Sequence, residues 1–241
     1  MDLSQEQEAL LLKERQRIEE ERRRSPQDRT RQMKEIIARQ KARGFRPDAS
    51  GGLRWRIDRA DELLMRGLYW AVGDKAEWLP EYEQVADWLA DNKGKGLLCI
   101  GDCGRGKTII TTRILPQLIA TGVIRCEDGS RLARPEVFGA RDLKERMEEI
   151  LRQRIVIIDD LGTEPVARVF GETHNYFNEL VNEIERRGKM LICSTNLTVE
   201  QLFGYETPSG QYMEGHYDER TKSRINKLTR RIYFEGDDMR R

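Results

Sequence analysis

The sequence predicts an α/β fold: a parallel sheet covered by helices on both faces, preceded by a helical extension. Three observations carry that prediction. Short apolar runs, too brief for buried helices, recur at Gly96–Ile100, Arg154–Ile158 and Met190–Cys193. Stretches of helical period alternate with them, such as Leu143, Met147 and Ile150, then Phe177, Leu180, Val181 and Ile184. Strands that are apolar throughout belong to sheets buried on both sides, and regular alternation with helices joins them in parallel. The first run also leads into a glycine-rich loop and then a helix, the context of a phosphate-binding turn.

Bulk properties agree with this. A chain of 241 residues holds one sizeable core and a small appendage. Charged residues make up 35% and mean hydropathy is −0.73, as in a solvated protein with a partly extended segment. A net charge of +1 by itself points to no partner. No apolar run reaches the roughly 18–20 residues that span a bilayer. Residues 1–24 lack a signal peptide's apolar stretch and cleavage site. No membrane association and a cytoplasmic location are therefore expected. Cys99, Cys103, Cys126 and Cys193 form no C-x₂-C pair, so reduced thiols rather than a zinc site are expected.

Taken in order, residues 1–50 read as a helical, largely basic partner-binding region. Ten basic side chains lie between Arg22 and Arg46, opposed only by Asp28 and Glu35. Ser4 is placed to cap a first helix. Ser25 and Pro26 start a second, ending near Gly44 with Pro47 beyond. Its apolar face is thin: Met33, Ile36 and Ile37. A hinge at Ser50-Gly51-Gly52 opens a linker over residues 51–79. The linker contains an amphipathic helix with Ala60, Leu63, Leu64, Gly67, Leu68 and Ala71 on one stripe. The main domain is expected over residues 80–241. It opens on a helix after Pro80 with Tyr82, Val85, Ala86 and Leu89 on one face. The strand Gly96–Ile100 follows, then a helix Gly106–Thr121 kinked at Pro116, and a strand Glu136–Ala140. After Met190–Cys193, a Gly-, Tyr- and Pro-rich loop covers about residues 204–216. A helix Asp218–Leu228 and a last strand Arg231–Glu235 complete the pattern. All four tryptophans are expected in packing, with Trp55, inside Arg54-Trp55-Arg56, the more exposed.

The chemistry concentrates in four places. Gly101-Asp102-Cys103-Gly104-Arg105-Gly106-Lys107-Thr108 fits G-x-x-x-x-G-K-[ST], with Ile109 opening the next helix. Its glycines let successive N–H groups turn toward phosphate oxygens, and the helix adds its positive end. Lys107 then reaches the β- and γ-phosphates of ATP, and the Thr108 hydroxyl ligates Mg²⁺. Cys103 reads as a tolerated small residue. Next, the apolar strand from Arg154 ends in Asp159-Asp160, as a Walker B element does. Asp159 is the expected Mg²⁺ ligand, and Asp160 or its rival Glu164 the water-activating carboxylate. Third, Met190-Leu-Ile-Cys193-Ser194-Thr195-Asn196 brings Asn196 to the same sheet edge, where ligands of open α/β sheets sit. For Thr195 a turn role stands beside a functional one, and Thr198 with Gln201 suits a short helix cap. Fourth, Arg220 and Arg224 share a helix face at i, i+4. By pattern alone a plain charged helix face is the favoured reading; arginines held this way can also reach a γ-phosphate across a subunit interface.

In this order the four elements resemble an AAA+ ATPase. Ile157-Ile158-Asp159-Asp160-Leu161-Gly162, Ser194-Thr195-Asn196, Glu219-Arg220-x₃-Arg224 and Phe234-Glu235-Gly236-Asp237-Asp238-Met239-Arg240 are similar to the DnaC/IstB-type family. That family comprises bacterial and phage replicative helicase loaders and transposition helper ATPases. The resemblance covers about residues 80–240. It implies a P-loop AAA+ core without a C-terminal lid domain, with Asn196 as first sensor and Arg240 as a weak candidate for a second. It favours Arg224 as arginine finger, with Arg220 beside it. It also implies Mg²⁺-dependent ATP hydrolysis at subunit interfaces of a homo-oligomer. Residues 1–50 would grip a ring helicase, and single-stranded or duplex DNA is a further partner. A transposition helper that recruits a transposase to DNA is the alternative.

Overall fold

A computed structural model of the chain describes residues 26–42, 53–126, 131–164, 167–169 and 172–239. The chain divides into two compact units, residues 1–49 and 50–241. In the first, helix α1 spans Pro26–Ala42, begins at the expected proline and leaves Met33, Ile36 and Ile37 exposed. The expected Ser4 cap, the stop at Gly44, the hinge at residues 50–52 and Arg240 lie outside the described residues. Among the described residues, no helix is long and apolar enough to cross a membrane.

The second unit begins with α2, Ala60–Val72, a single 3₁₀ turn at Gly73–Lys75, and α3, Pro80–Ala90. Pro80 occupies the first turn of α3, where its missing N–H costs nothing. These segments differ from the expected linker: α2 buries Ala60, Leu64, Gly67 and Leu68 in the same core as α3 and the sheet. Trp55 is also a correction, because it is fully buried, edge-on to Trp88 at 5.2 Å. The Asn92 side chain fastens this stretch, accepting from the Trp55 N–H (3.1 Å) and donating to the Leu53 carbonyl (2.7 Å). Flanking arginines disguise Trp55 as a surface residue. Trp70 and Trp78 depart from expectation in the other sense and stay exposed, Trp70 beneath the Arg113 guanidinium.

Strand β1, Gly96–Gly101, is followed by the glycine-rich loop and a helix of two parts. A wide π turn covers Ile109–Ile114, and α4 covers Leu115–Ala120. The kink expected at Pro116 is this widening. Proline offers no N–H to the carbonyl four residues back, and the Leu115 N–H instead reaches five back, to Ile110. The remaining elements are β2 (Val137–Gly139), α5 (Leu143–Ile150) and β3 (Ile155–Leu161), then a small hairpin of β4 (Ala167–Val169) and β5 (Glu172–His174). After it come α6 (Tyr176–Arg186), β6 (Met190–Thr195), α7 (Val199–Phe203) and a hairpin of β7 (Tyr205–Glu206) and β8 (Tyr212–Met213). Helix α8 (Glu219–Leu228) and β9 (Thr229–Phe234) end the order. Neither hairpin was expected. The 204–216 stretch read as loop because its strands hold two residues each.

Five strands form one parallel sheet in the order β2-β3-β6-β1-β9. Alternate residues of each central strand enter opposite cores. Leu97, Ile157 and Ile192 join α2, α3 and the helix after β1, whereas Leu98, Ile158 and Leu191 join α5, α6, α7 and α8. The expected α/β fold, a parallel sheet covered by helices on both faces, is thus observed. Close pairing of β1 with β6 leaves no room at Gly96, where a Cβ would stand 1.7 Å from the Leu191 carbonyl oxygen. Gly96→Ala, remote from the carboxyl edge of the sheet, is expected to cost about 1–3 kcal/mol or more. Urea unfolding measures this, and an unchanged midpoint would refute so tight a pairing.

Candidate functional site

Strand order sets the site. β6 lies between β1 and β3, so the turns leaving all three strands meet at one edge. β1 ends at Gly101, with φ +133°, where a Cβ would lie 2.0 Å from the Phe234 carbonyl oxygen. The Asp102 N–H donates to that carbonyl (3.0 Å), tying the loop's entry to the end of β9. Lys107, only 4% exposed, donates through Nζ to the Gly101 and Asp102 carbonyls at 2.8 and 2.5 Å. Burial lowers its pKa below the ordinary lysine value, partly offset by Cys103, Cys99, Asp102 and Asp160. Thr108 opens the following helix, and its carbonyl accepts from the Thr112 hydroxyl (2.6 Å). Cys103 is exposed beside Gly104.

The acidic pair sits on an irregularity. The β3–β6 register shifts between Ile158 and Leu161, and Asp160 adopts φ +56°. A non-glycine residue in that region is uncommon, and aspartate tolerates it better than most. The bulge lets Asp159 and Asp160 both face the cleft, where a regular strand would send neighbours to opposite faces. Ser194, one strand away, serves both: its hydroxyl donates to the Asp159 carboxylate and accepts from the Asp160 N–H (3.2 Å). Asn196 Nδ2 donates to Asp160 Oδ1 at 3.0 Å. Thr195 takes the turn role, donating to the Leu161 carbonyl (2.8 Å) and accepting from the Leu197 N–H (3.1 Å). Thr198 and Gln201 form the expected capping box of α7.

A cleft of about 810 Å³ joins these groups, lined by Cys103, Gly104, Gly106, Lys107, Thr108, Ile109, Asp159, Asp160 and Asn196. Its other wall was missed in the sequence: Leu68, Val72, Ala76, Leu79 and Tyr82 give it an apolar end, and Asp74, Lys75 and Glu77 a polar rim. Leu68 carried a signal as part of the α2 stripe. Its neighbours around the 3₁₀ turn carried none.

The other candidates lie elsewhere. Gly101 and Asp102 serve through their backbone carbonyls, outside the cleft lining. Arg105 belongs to the loop, but its side chain is buried and bound to Glu81 rather than turned to the cleft. Arg224 pairs with Glu185 of α6 (3.0 Å), which also holds Lys227 (2.7 Å), and Arg220 is exposed one turn earlier. Glu164 is outside the cleft lining and 5% exposed. It accepts from the Gly162 N–H (2.8 Å) and the Tyr217 hydroxyl (2.5 Å) and contacts His216 Nε2 at 3.2 Å. Both Glu164 carboxylate oxygens thus have protein partners, whereas Asp160 is exposed at the cleft.

No family model matches the chain, and no curated protein does. Among solved structures it is similar to DnaI, at 19% identity over 76% of this chain and 86% of that one, with a TM-score of 0.42. A proposed primosome component from Streptococcus pyogenes matches at 15% identity over 76% and 84%, with a TM-score of 0.40. The DnaC helicase loader matches at 19% over 75% and 93%, with a TM-score of 0.36.

The Glu164–His216 contact fixes a pH response. Burial pushes the Glu164 carboxyl up, but hydrogen bonds from His216 and Tyr217 outweigh it and its pKa falls below 4.5. The bond to Glu164 raises His216 above 6.5, against a smaller opposing effect of burial. Stability from the raised imidazole is complete below 6.5 and fades as pH rises through its folded value. Stability from the depressed carboxyl is complete above 4.5 and fades as pH falls through its folded value. His216→Ala should therefore lower Tm most between pH 4.5 and 6.5, and progressively less above. A Tm difference independent of pH would contradict the pairing.

Proposed function

We propose that this chain is a Mg²⁺-dependent P-loop ATPase that loads a ring-shaped replicative helicase onto DNA. The observation that carries the ATPase reading is the single cleft lined by Lys107, Thr108, Asp159, Asp160 and Asn196. Its apolar end suits a base, and its loop end a triphosphate. Among the described residues no cluster of three or more His, Cys, Asp or Glu side chains forms a metal cage. That suits Mg²⁺, which takes one or two protein oxygens and completes its shell with phosphate and water. The Thr108 hydroxyl and the Asp159 carboxylate, held in place by Ser194, are the oxygens that would hold it. When bound, the ion neutralises charge on the phosphates.

The chain's own residues supply the rest. Lys107 exchanges its two backbone carbonyls for phosphate oxygens, a gain in charge-assisted bonding. Asn196 orients Asp160 through one carboxylate oxygen, leaving the other to align a water and take its proton. Arg220 or Arg224 of a neighbouring copy stabilises the developing charge; Arg224 must first part from Glu185. The loader reading is supported by the order and content of the motifs and by the separate, basic N-terminal unit.

Lys107→Ala should weaken ATP binding about 100-fold or more, read by fluorescent-nucleotide titration; undiminished affinity would remove the P-loop role. Asp160→Asn should bind ATP within about threefold of the parent yet hydrolyse it about 100-fold more slowly. Normal turnover would return the role to another acid. Parental turnover per chain should rise with protein concentration, and a flat profile would exclude a finger from a neighbour. For the partner, the full-length chain should capture a ring helicase from its host lysate. A chain lacking residues 1–50 should not, while keeping its ATP affinity. Recovery of a transposase instead would favour the transposition helper.

A further inference from the structure

We propose that Arg105 and Glu81 are positioning residues: their buried ion pair holds the phosphate-binding loop in its binding shape, and Arg105 itself touches no phosphate. The proposal rests on the reading that this loop binds ATP. Arg105 Nε and Nη2 meet Glu81 Oε1 and Oε2 at 2.8 and 3.0 Å, a two-pronged pair with side chains only 10% and 5% exposed. Arg105 Nη1 also reaches the Asp237 carbonyl at 3.4 Å. The guanidinium lies against Gly236, where a Cβ would come within 3.3 Å of it. One side chain thus links the loop to α3 on one side and to the segment after β9 on the other.

The backbone follows the same plan. A loop aims its N–H groups at an anion only if its carbonyls are turned away and satisfied elsewhere. The Arg105 carbonyl accepts from the Tyr82 hydroxyl (3.2 Å), and the Gly104 carbonyl from the Met239 N–H (3.3 Å). Tyr82 also closes on Gly106, where a Cβ would stand 2.4 Å from its hydroxyl. Burial, with the Glu81 charge beside it, pushes the Tyr82 phenol up to about 12, so it remains a donor at any physiological pH. Glu81 and Tyr82 are consecutive in the first turn of α3 and grip the same loop residue, one by its side chain and one by its backbone.

Positioning and plain stabilisation separate in a double variant. Removing one member of a buried pair strands the other charge, whereas replacing both with apolar residues of similar volume is often neutral for stability. Glu81→Leu alone should lower both Tm and ATP affinity. Glu81→Leu combined with Arg105→Met should recover Tm to within a few degrees of the parent. Its KM for ATP should nevertheless stay about tenfold or more above the parent's, with kcat at saturation within about threefold. A double variant that binds ATP as tightly as the parent would overturn the proposal. Should that variant not fold, Arg105→Lys replaces it. It keeps a charge opposite Glu81 but lacks the fork that also reaches Asp237. A KM raised threefold or more with parental Tm supports the proposal, and an unchanged KM overturns it. Lys107→Ala, titrated alongside, tells the two readings apart. ATP binding that depends on Lys107 but not on Arg105 and Glu81 sinks only the positioning role. A parent chain that binds no ATP sinks both.

Discussion

The paired backbone ladders on either side of β6 are the constraint from which the rest of the site follows. β6 bonds in parallel to β1 through Leu97–Ile192 and its neighbours, and to β3 through Ile155–Met190 and its neighbours. One strand therefore fixes the separation between the glycine-rich loop, which leaves β1, and the acidic pair, which ends β3. A sheet buried on both faces cannot slide by a residue without turning every apolar side chain into the wrong core. The spacing of a cation-bearing loop from two carboxylates is thereby held by hydrophobic packing far from either. The polar residues of the cleft are consequences of that packing, and Ser194 and Asn196, on β6 and its exit, occupy the midpoint.

What the sequence made legible was what periodicity and local motif encode. Five parallel strands, the loop Gly101–Thr108, the bulk of each helix and the Thr198 cap follow from apolar runs and residue types at fixed offsets. Trp55, the wall of the cleft and the partners of Arg105 and Glu164 did not, for one physical reason. Each depends on contacts between residues distant in sequence, and no local pattern announces them. Arg54 and Arg56 around Trp55 suggest solvent, yet Arg54 pairs with Asp91 at the surface while Trp55 between them turns inward onto Trp88. Glu164 stood as an alternative base because it is acidic and close in sequence to Asp160; its partners arrive from Tyr217 and His216, more than fifty residues on.

Charge in the interior divides into two kinds. In Glu81–Arg105 and Glu164–Tyr217 both oxygens of each carboxylate meet buried protein donors. Such groups hold backbone segments together and have little capacity left for chemistry. Lys107, Asp159 and Asp160 differ. Their bonds run to backbone carbonyls, one serine and one asparagine, each of which an anion or a metal ion can replace or share. Desolvation of Lys107 sharpens the contrast. An ammonium group that burial disfavours, hydrogen-bonded to two carbonyl oxygens and only partly balanced by nearby acidic groups, gains most from a further negative charge.

These paired groups in turn bracket the open ones. Glu164 joins the turn after β3 to the residues that lead into α8, so the acidic pair and the helix bearing Arg220 and Arg224 share a buried anchor. Arg105 joins the glycine-rich loop to α3 and to the segment following β9. A strained residue such as Asp160 persists only where its surroundings over-determine it. Here Ser194 holds its N–H, Thr163 its carbonyl and Asn196 its carboxylate. Three contacts on one residue leave it a single orientation. The left-handed backbone at Asp160, held in this way, is therefore the feature on which the proposed water-aligning role most directly rests.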